Sequence, residues 1–197
     1  MWAKPITLEN EHVRLELTDH SHAADLAEAA ARDNLYKVWY TIIPAPEAIG
    51  VEIDRRLGLM ESGWMVPFTV IRKTDQKAVG MTTWMNIDHT QKRLEIGHTW
   101  YSTAVQRTAI NTAAKLLLLT QAFDALDAIA VEFRTHSMNR QSRLGIERLG
   151  AKLDGVMRSH MTMPNGTLRD TAVYSIIASE WPTAKANLEW QLTKPRP

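Results

Sequence analysis

Between residues 104 and 119 the chain reads AVQRTAINTAAKLLLL. A helix this apolar, ending in four leucines, must be buried against a broad apolar surface, because isolated helices of such length are marginal in water. Runs rich in β-formers stand on either side of it, so that surface is a sheet. From Thr103 to Leu119 the charged residues are Arg107 and Lys115, both cationic. A helix amino end is positive through its unpaired N–H groups and its macrodipole, and it usually attracts Asp or Glu. An entrance without carboxylates suits an incoming anion.

The flanking patterns supply the rest of the architecture. HVRLEL alternates around Val13, Leu15 and Leu17 and reads as a first strand. TDHSHAADLAEAAAR offers Thr18, Asp19 and Ser21 as caps for an alanine-rich helix. That capping also accounts for His20, His22 and Asp25, which have no third metal ligand at a suitable spacing. Beyond Pro44 and Pro46, EAIGVEIDRRLGLMES keeps helical spacing through Ile49, Ile53 and Leu57 and stops near Gly63. MVPFTVIR, AVGMTTWMNID and RLEIGHTWY follow as an antiparallel meander. After the central helix come AIAVEFRT as a buried strand and NRQSRLGIERLG as a helix closed by Gly150. GVMRSHMTM and RDTAVYSII flank PNGT as a hairpin, and a last helix covers about 180–192 before a tail at 193–197.

This succession predicts an α/β (α+β) fold: a mixed, mostly antiparallel central sheet of about seven strands with helices on both faces. No repeat or linker divides the chain, so residues 1–197 are expected to form a single domain. Neither a Rossmann sheet nor a TIM barrel has this order.

Charge and composition exclude several classes. Lys plus Arg is 23 against 22 for Asp plus Glu, whereas a duplex-binding surface needs a larger basic excess, so no nucleic-acid partner is expected. The absence of cysteine removes disulfides, Cys-ligated zinc and thiol nucleophiles. MWAKPITLENEHVRL has no signal-peptide run and no window nears the ~18 apolar residues of a membrane span, so a cytoplasmic protein without membrane attachment is expected. No G-x-S-x-G elbow, P-loop or G-x-G-x-x-G is present.

Taken together and in this order, LEIGHTWY, QRTAIN, NRQSRLGIERLGA and RSHMTMPNGTLRDTAVYSI resemble the GNAT superfamily of acyl-CoA-dependent N-acyltransferases. The likeness is greatest to the bacterial branch that contains the ribosomal-protein N-acetyltransferases, and it runs from about Val13 to Ile177. It implies a GNAT-like sheet, acetyl-CoA (coenzyme A) as co-substrate, no metal, and an amine acceptor. In that superfamily the coenzyme A pyrophosphate rests on the amino end of the central helix, held by N–H groups of a Gln/Arg-x-x-Gly-x-Gly/Ala loop. Gln106, Arg107, Thr108, Ala109, Ile110, Asn111 and Thr112 fall on this loop and its continuation. Ala109 replaces the first glycine and Asn111 occupies the second small position. Alanine resists positive φ, so the backbone at Ala109 decides whether its methyl matters. The resemblance further implies that the strand from Gly97 through His98, Thr99 and Trp100 meets the thioester with main-chain N–H groups.

Individual residues carry two readings each. Glu95, on the strand before the helix, is the candidate general base, with a salt bridge to Arg93 or a lysine as the alternative. Alternation places His98 with Ile96 and Trp100, opposite Glu95 and Gly97, as a hydrogen-bonded sheet histidine. By resemblance Asn139 holds the pantetheine arm and Ser142 protonates the departing thiolate; both residue types are also ordinary helix caps. Arg143 and Arg107 can meet cofactor phosphates, but an ordinary exposed arginine is the prevailing reading for each singly. The resemblance further implies Tyr36, Trp39 and Tyr40 at the acceptor wall, with core packing at least as good a reading for Trp39. Without a dense acidic cluster the acceptor is expected to be a single amine, a protein amino terminus or a small metabolite, acetylated by direct transfer. The rival readings are a coenzyme A-binding or sensory module without turnover, for which Ala109 speaks, and a plain scaffold. A homodimer is the expected assembly.

Overall fold

Eight strands make one sheet in the order β1-β2-β3-β4-β5-β6-β8-β7 in the computed structural model, which describes residues 2–194. The strands are β1 Leu8–Glu9, β2 Val13–Leu17, β3 Met65–Arg72, β4 Ala78–Asp88, β5 Arg93–Tyr101, β6 Ala130–His136, β7 Lys152–Thr162 and β8 Leu168–Ile177. The helices are α1 Ala23–Ala31, α2 Ile49–Glu61, α3 Ala109–Thr120, α4 Arg140–Glu147 and α5 Trp181–Thr193. The strand beyond the expected set is β1, whose two residues are too few for any periodicity to register. Of the expected tail, residues 195–197 lie outside the described residues, as does Met1.

Every pairing is antiparallel except that of β5 with β6, the two strands joined through α3. The leucine-rich helix is buried as its composition demands. Ala113, Ala114, Leu118 and Leu119 of α3 are fully buried in a cluster with Phe68, Trp84, Leu94, Ile96 and Phe133 of the sheet and Leu188 of α5. Each large side chain buried there contributes about 1.5–3 kcal/mol. A second cluster on the opposite face joins Leu26 of α1 and Ile49 and Ile53 of α2 to Ile71, Met81 and Trp100. Among the described residues no helix is long and apolar enough to cross a membrane.

One strand departs from simple alternation. The register between β4 and β5 steps from Thr83↔Gly97 to Met81↔Trp100, so His98 and Thr99 together oppose Thr82. His98 takes φ 46, in the left-handed region. This is a β-bulge, which inserts a residue and reverses the facing of everything beyond it. Ile96 therefore packs under α3 while Trp100 packs under α1 and α2, and the expectation that His98 shares a face with both is corrected. At the same place Gly80 of β4 is irreplaceable: a Cβ there would stand 2.2 Å from the Trp100 carbonyl oxygen.

Candidate active site

The parallel pairing of β5 with β6 lasts only through Arg93↔Ala130, Leu94↔Val131 and Glu95↔Glu132. Beyond it β5 stays with β4 as far as Gly80↔Tyr101, and β6 stays with β8 as far as His136↔Thr171. The facing edges part and leave a wedge in the sheet, with main-chain groups along both sides available to something other than each other. Because α3 follows β5 after a short turn at Thr103–Val105, its amino end lies at the open end of that wedge.

That helix end is built without acid. Thr108 is the N-cap: its Oγ1 accepts from the N–H of Ile110 at 3.3 Å and donates to the Val105 carbonyl at 2.6 Å. Among the described residues this is the one side-chain oxygen offered to the first turn. The left-handed residue of the loop is Arg107, with φ 61, whereas Ala109 is the first residue of α3. The alanine methyl thus sits at an ordinary helical position, where glycine has no conformational advantage. Gln106 braces the entrance, donating to the Tyr101 carbonyl at 3.2 Å and accepting from Gln141 at 3.1 Å.

Glu95 stands at the vertex of the wedge and is 5% exposed. Its Oε2 accepts from Asn86 at 2.7 Å, with Arg134 Nε at 3.4 Å. Burial pushes its carboxyl above the usual range, and although Arg134 and Asn86 oppose the shift, the neighbouring Glu132 adds to it. Glu132 behaves oppositely. Burial would raise it too, but Arg93 at 2.7 Å and Arg134 at 3.0 Å hold it low. The pKa values of two carboxylates in register are thereby pushed in opposite directions, the pattern expected where one of them exchanges protons. Arg93 belongs to Glu132, so the salt bridge read as the alternative for Glu95 is made with Arg134 instead of Arg93 or a lysine. A cavity of about 170 Å³ opens at this pair, lined also by Asn86 and Asp88. Gly97 preserves the space: a Cβ would meet Met85 Sδ at 2.6 Å and Glu95 Oε1 at 2.9 Å.

The bulge carries His98 to the α2 side, the side of Glu95. Arg55 Nη2 lies 3.4 Å from His98 Nδ1, and the Trp64 ring meets the imidazole edge-on at 6.5 Å. Desolvation, followed by the charges of Arg56 and Arg55, pushes His98 down to about 4. It is a neutral imidazole at neutral pH. Thr99 turns the other way and bonds Thr82 and Lys115 beneath α3.

The stretch that holds the helix entrance, the split parallel pair and the bulged strand lies within the part of the chain, residues 12–152, that matches the acetyltransferase (GNAT) domain. The chain belongs to the GNAT family. It is 32% identical over 107 residues to a proposed ribosomal N-acetyltransferase of Bacillus subtilis, YdaF, in a match spanning 54% of this chain and 57% of that protein. A GCN5-related N-acetyltransferase from Brucella melitensis superposes with TM-score 0.86 at 28% identity, covering 98% of this chain and 88% of its own. Mycobacterium smegmatis RimJ, solved with CoA-disulfide, has the same fold, with TM-score 0.81 at 21% identity and 95% of each chain covered.

The remaining GNAT-derived candidates are disposed less uniformly. Asn139 is the N-cap of α4, its Oδ1 accepting from the Ser142 N–H at 3.0 Å, and Ser142 is half-buried in the first turn. Arg143 donates to Tyr174 Oη at 2.8 Å and to the Ser137 carbonyl at 3.3 Å. On the other side of the wedge Trp39 is 47% exposed, so it is not a core residue. It meets Tyr40 and His136 edge-on at 5.5 and 5.4 Å, while Tyr36 is half-buried beside Lys37. Thr103 donates to Asp33 and fastens this loop to the turn before α3.

Two residues of this side carry no motif and are invisible in the sequence. His136, at the end of β6, is buried, accepts from the Met138 N–H at 3.2 Å and, among the described residues, keeps Nε2 without a partner. Arg169 of β8 donates to Thr171 at 2.9 Å and, among the described residues, has no carboxylate at ion-pair distance. Burial lowers its pKa and Glu95 opposes the change, while Arg169 in turn contributes to the depressed pKa of both His98 and His136.

Proposed function

We propose that this GNAT protein transfers an acetyl group from acetyl-CoA directly to a primary amine. The single observation that carries the reading is the separation of β5 from β6 just past Glu95↔Glu132, beside a helix entrance that holds no acid. A diphosphate is accommodated there by main-chain N–H groups between Arg107 and Thr112, without a resident carboxylate to displace. The pantetheine arm then follows the free edge of β5, with Asn139 at the mouth of α4 as its hydrogen-bonding partner. The thioester carbonyl meets N–H groups of the bulge at His98, Thr99 and Trp100. A preorganised donor to a developing oxyanion is worth about 3 kcal/mol in comparable acyl transfers.

The amine nitrogen attacks the thioester carbon and loses a proton to Glu95, directly or through a water. Burial lifts Glu95 toward the range where a carboxylate is an effective base. The C–S bond breaks, and the thiolate takes a proton through Ser142, whose hydroxyl regains one from solvent water, while the proton lost by the amine stays on Glu95 until it too passes to water. Holding both reactants in one wedge supplies much of the acceleration as proximity. The acceptor enters over Tyr36, Trp39 and Tyr40 and carries a single amine, at a protein amino terminus or on a small molecule. Its accompanying setting is a cytoplasmic homodimer. The helical position of Ala109 takes away one of the two supports of the non-catalytic module, the other being the open assignment of the base.

The test is thiol release from acetyl-CoA across a panel of peptides with free amino termini and small amines, together with a calorimetric titration of coenzyme A. Binding with thiol release supports the proposal. Binding without release for any acceptor favours a sensory module, and no binding removes both.

A further inference from the structure

The bulge in β5 lacks the support a strand normally has. β6 has already left it, and the inserted residue breaks its pairing with β4. Two buried cations, one from each face of the sheet, take over. On the α3 face Lys115 is 5% exposed, and its Nζ donates to Thr99 Oγ1 at 2.9 Å and Thr82 Oγ1 at 3.2 Å. Those hydroxyls lie 2.8 Å from each other. The three side chains close a triangle that ties a bulge residue to the residue opposite it. On the α2 face Arg56 is 2% exposed and donates to the His98 carbonyl at 3.3 Å, to Thr83 Oγ1 at 2.8 Å and to Glu52 at 2.7 Å.

Lys115 is the more telling of the two. Among the described residues no carboxylate lies at ion-pair distance from it, and burying an amine among hydroxyls alone disfavours the fold compared with a methionine of similar length. A cation placed at a cost to stability, at the spot where backbone pairing fails, is arranged for the shape of that spot. Burial pushes its pKa down to about 7, so near neutrality the amine can accept from one threonine while donating to the other.

We infer that Lys115 and Arg56 are positioning residues that clamp the β5 bulge from opposite faces and keep its N–H groups aimed into the wedge. The catalytic part of this inference rests on the acetyl-transfer reading above; the mechanical part does not. Lys115 Nζ bonds the hydroxyls of Thr82 and Thr99. It acts through Thr99, and Arg56 acts through the His98 carbonyl.

The test uses the full chain and the variants Lys115→Met and Thr99→Val. In the coenzyme-free protein, amide hydrogen exchange at residues 98–100 is expected to rise about tenfold in Lys115→Met, with exchange at 93–95 unchanged. With acetyl-CoA and an amine that the wild type acetylates, kcat is expected to fall about tenfold, with KM for acetyl-CoA within about twofold and Tm equal or higher. The double variant should lose no more than either single one, because both break the same tie. Unchanged exchange at 98–100 overturns the clamp. Raised exchange with unchanged kcat overturns its catalytic part, as does a loss of kcat that merely follows a fall in Tm. A wild-type chain that acetylates no amine sinks the transferase reading instead, and exchange still judges the clamp.

Discussion

Arg93, Leu94 and Glu95 have β4 on one side and β6 on the other, whereas from Ile96 to Tyr101 the same strand keeps only β4 and is bulged within that stretch. At the paired end, geometry is fixed by the ladder and by Leu94 in the core beneath α3. At the open end it is fixed by side chains reaching in from α2 and α3, some of them charged and buried. The contrast teaches that one strand can divide its duties. The end that is paired twice stabilises the fold, and the end released from β6 has main-chain groups to offer a ligand but must be steadied by polar contacts that contribute less to stability.

The division is tested most severely at the paired end. Leu94→Ala removes a side chain that is 1% exposed and should destabilise the protein by about 3 kcal/mol in urea denaturation, while kcat per folded molecule stays within about twofold. A matching fall in kcat would mean that the two ends are not separable. At the vertex, Glu95→Gln should lower kcat about 100-fold with little change in coenzyme A affinity. The pH profile sharpens this. The folded-state pKa of Glu95 lies above its ordinary 4.5, so activity should fall as pH drops through that raised value, and the glutamine variant should lack this acid limb. The sign for stability is the reverse: a raised carboxyl favours the fold when protonated, so Glu95→Gln should raise Tm at pH 7.

At the open end Glu52 works oppositely. Although burial opposes it, Arg55 and Arg56 lower its pKa from 4.5 to about 2, so its stabilisation is present above pH 4.5 and is lost as pH falls toward 2. On the order of 2 kcal/mol should disappear over that interval once solvent screening is allowed for. Glu52→Gln should remove this acid limb from a Tm-against-pH series. An unchanged series would detach the Glu52 pair from the support of the bulge.

Much of the fold was legible because its causes are local. Alternation in HVRLEL, the β-rich runs MVPFTVIR and RLEIGHTWY, the PNGT turn and the glycine after α4 each act over a few residues, and they gave the order of elements from β2 to α5. The acid-free entrance of α3 was legible for the same reason. The bulge was not, because it consists of one residue taking positive φ inside an otherwise regular run, and it turned Trp100 to the face opposite Ile96. The supports of the bulge were beyond reach as well. Arg56 finds Thr83 and Lys115 finds Thr82 across 27 and 33 residues of chain, and helical spacing alone gave no reason to bury an arginine on α2. His136 and Arg169 came into view only once β6 and β8 were paired.

The central claim is that the amino end of α3 receives the diphosphate of a coenzyme through main-chain N–H groups. Thr108→Asp tests it directly, since aspartate caps a helix at least as well as threonine while placing a negative charge where the anion would sit. Calorimetric titration of coenzyme A into the wild type and this variant should give binding to the wild type and an affinity at least about tenfold weaker for the variant, with Tm equal or higher. Equal affinity for the two proteins, or no binding by the wild type, would contradict the account.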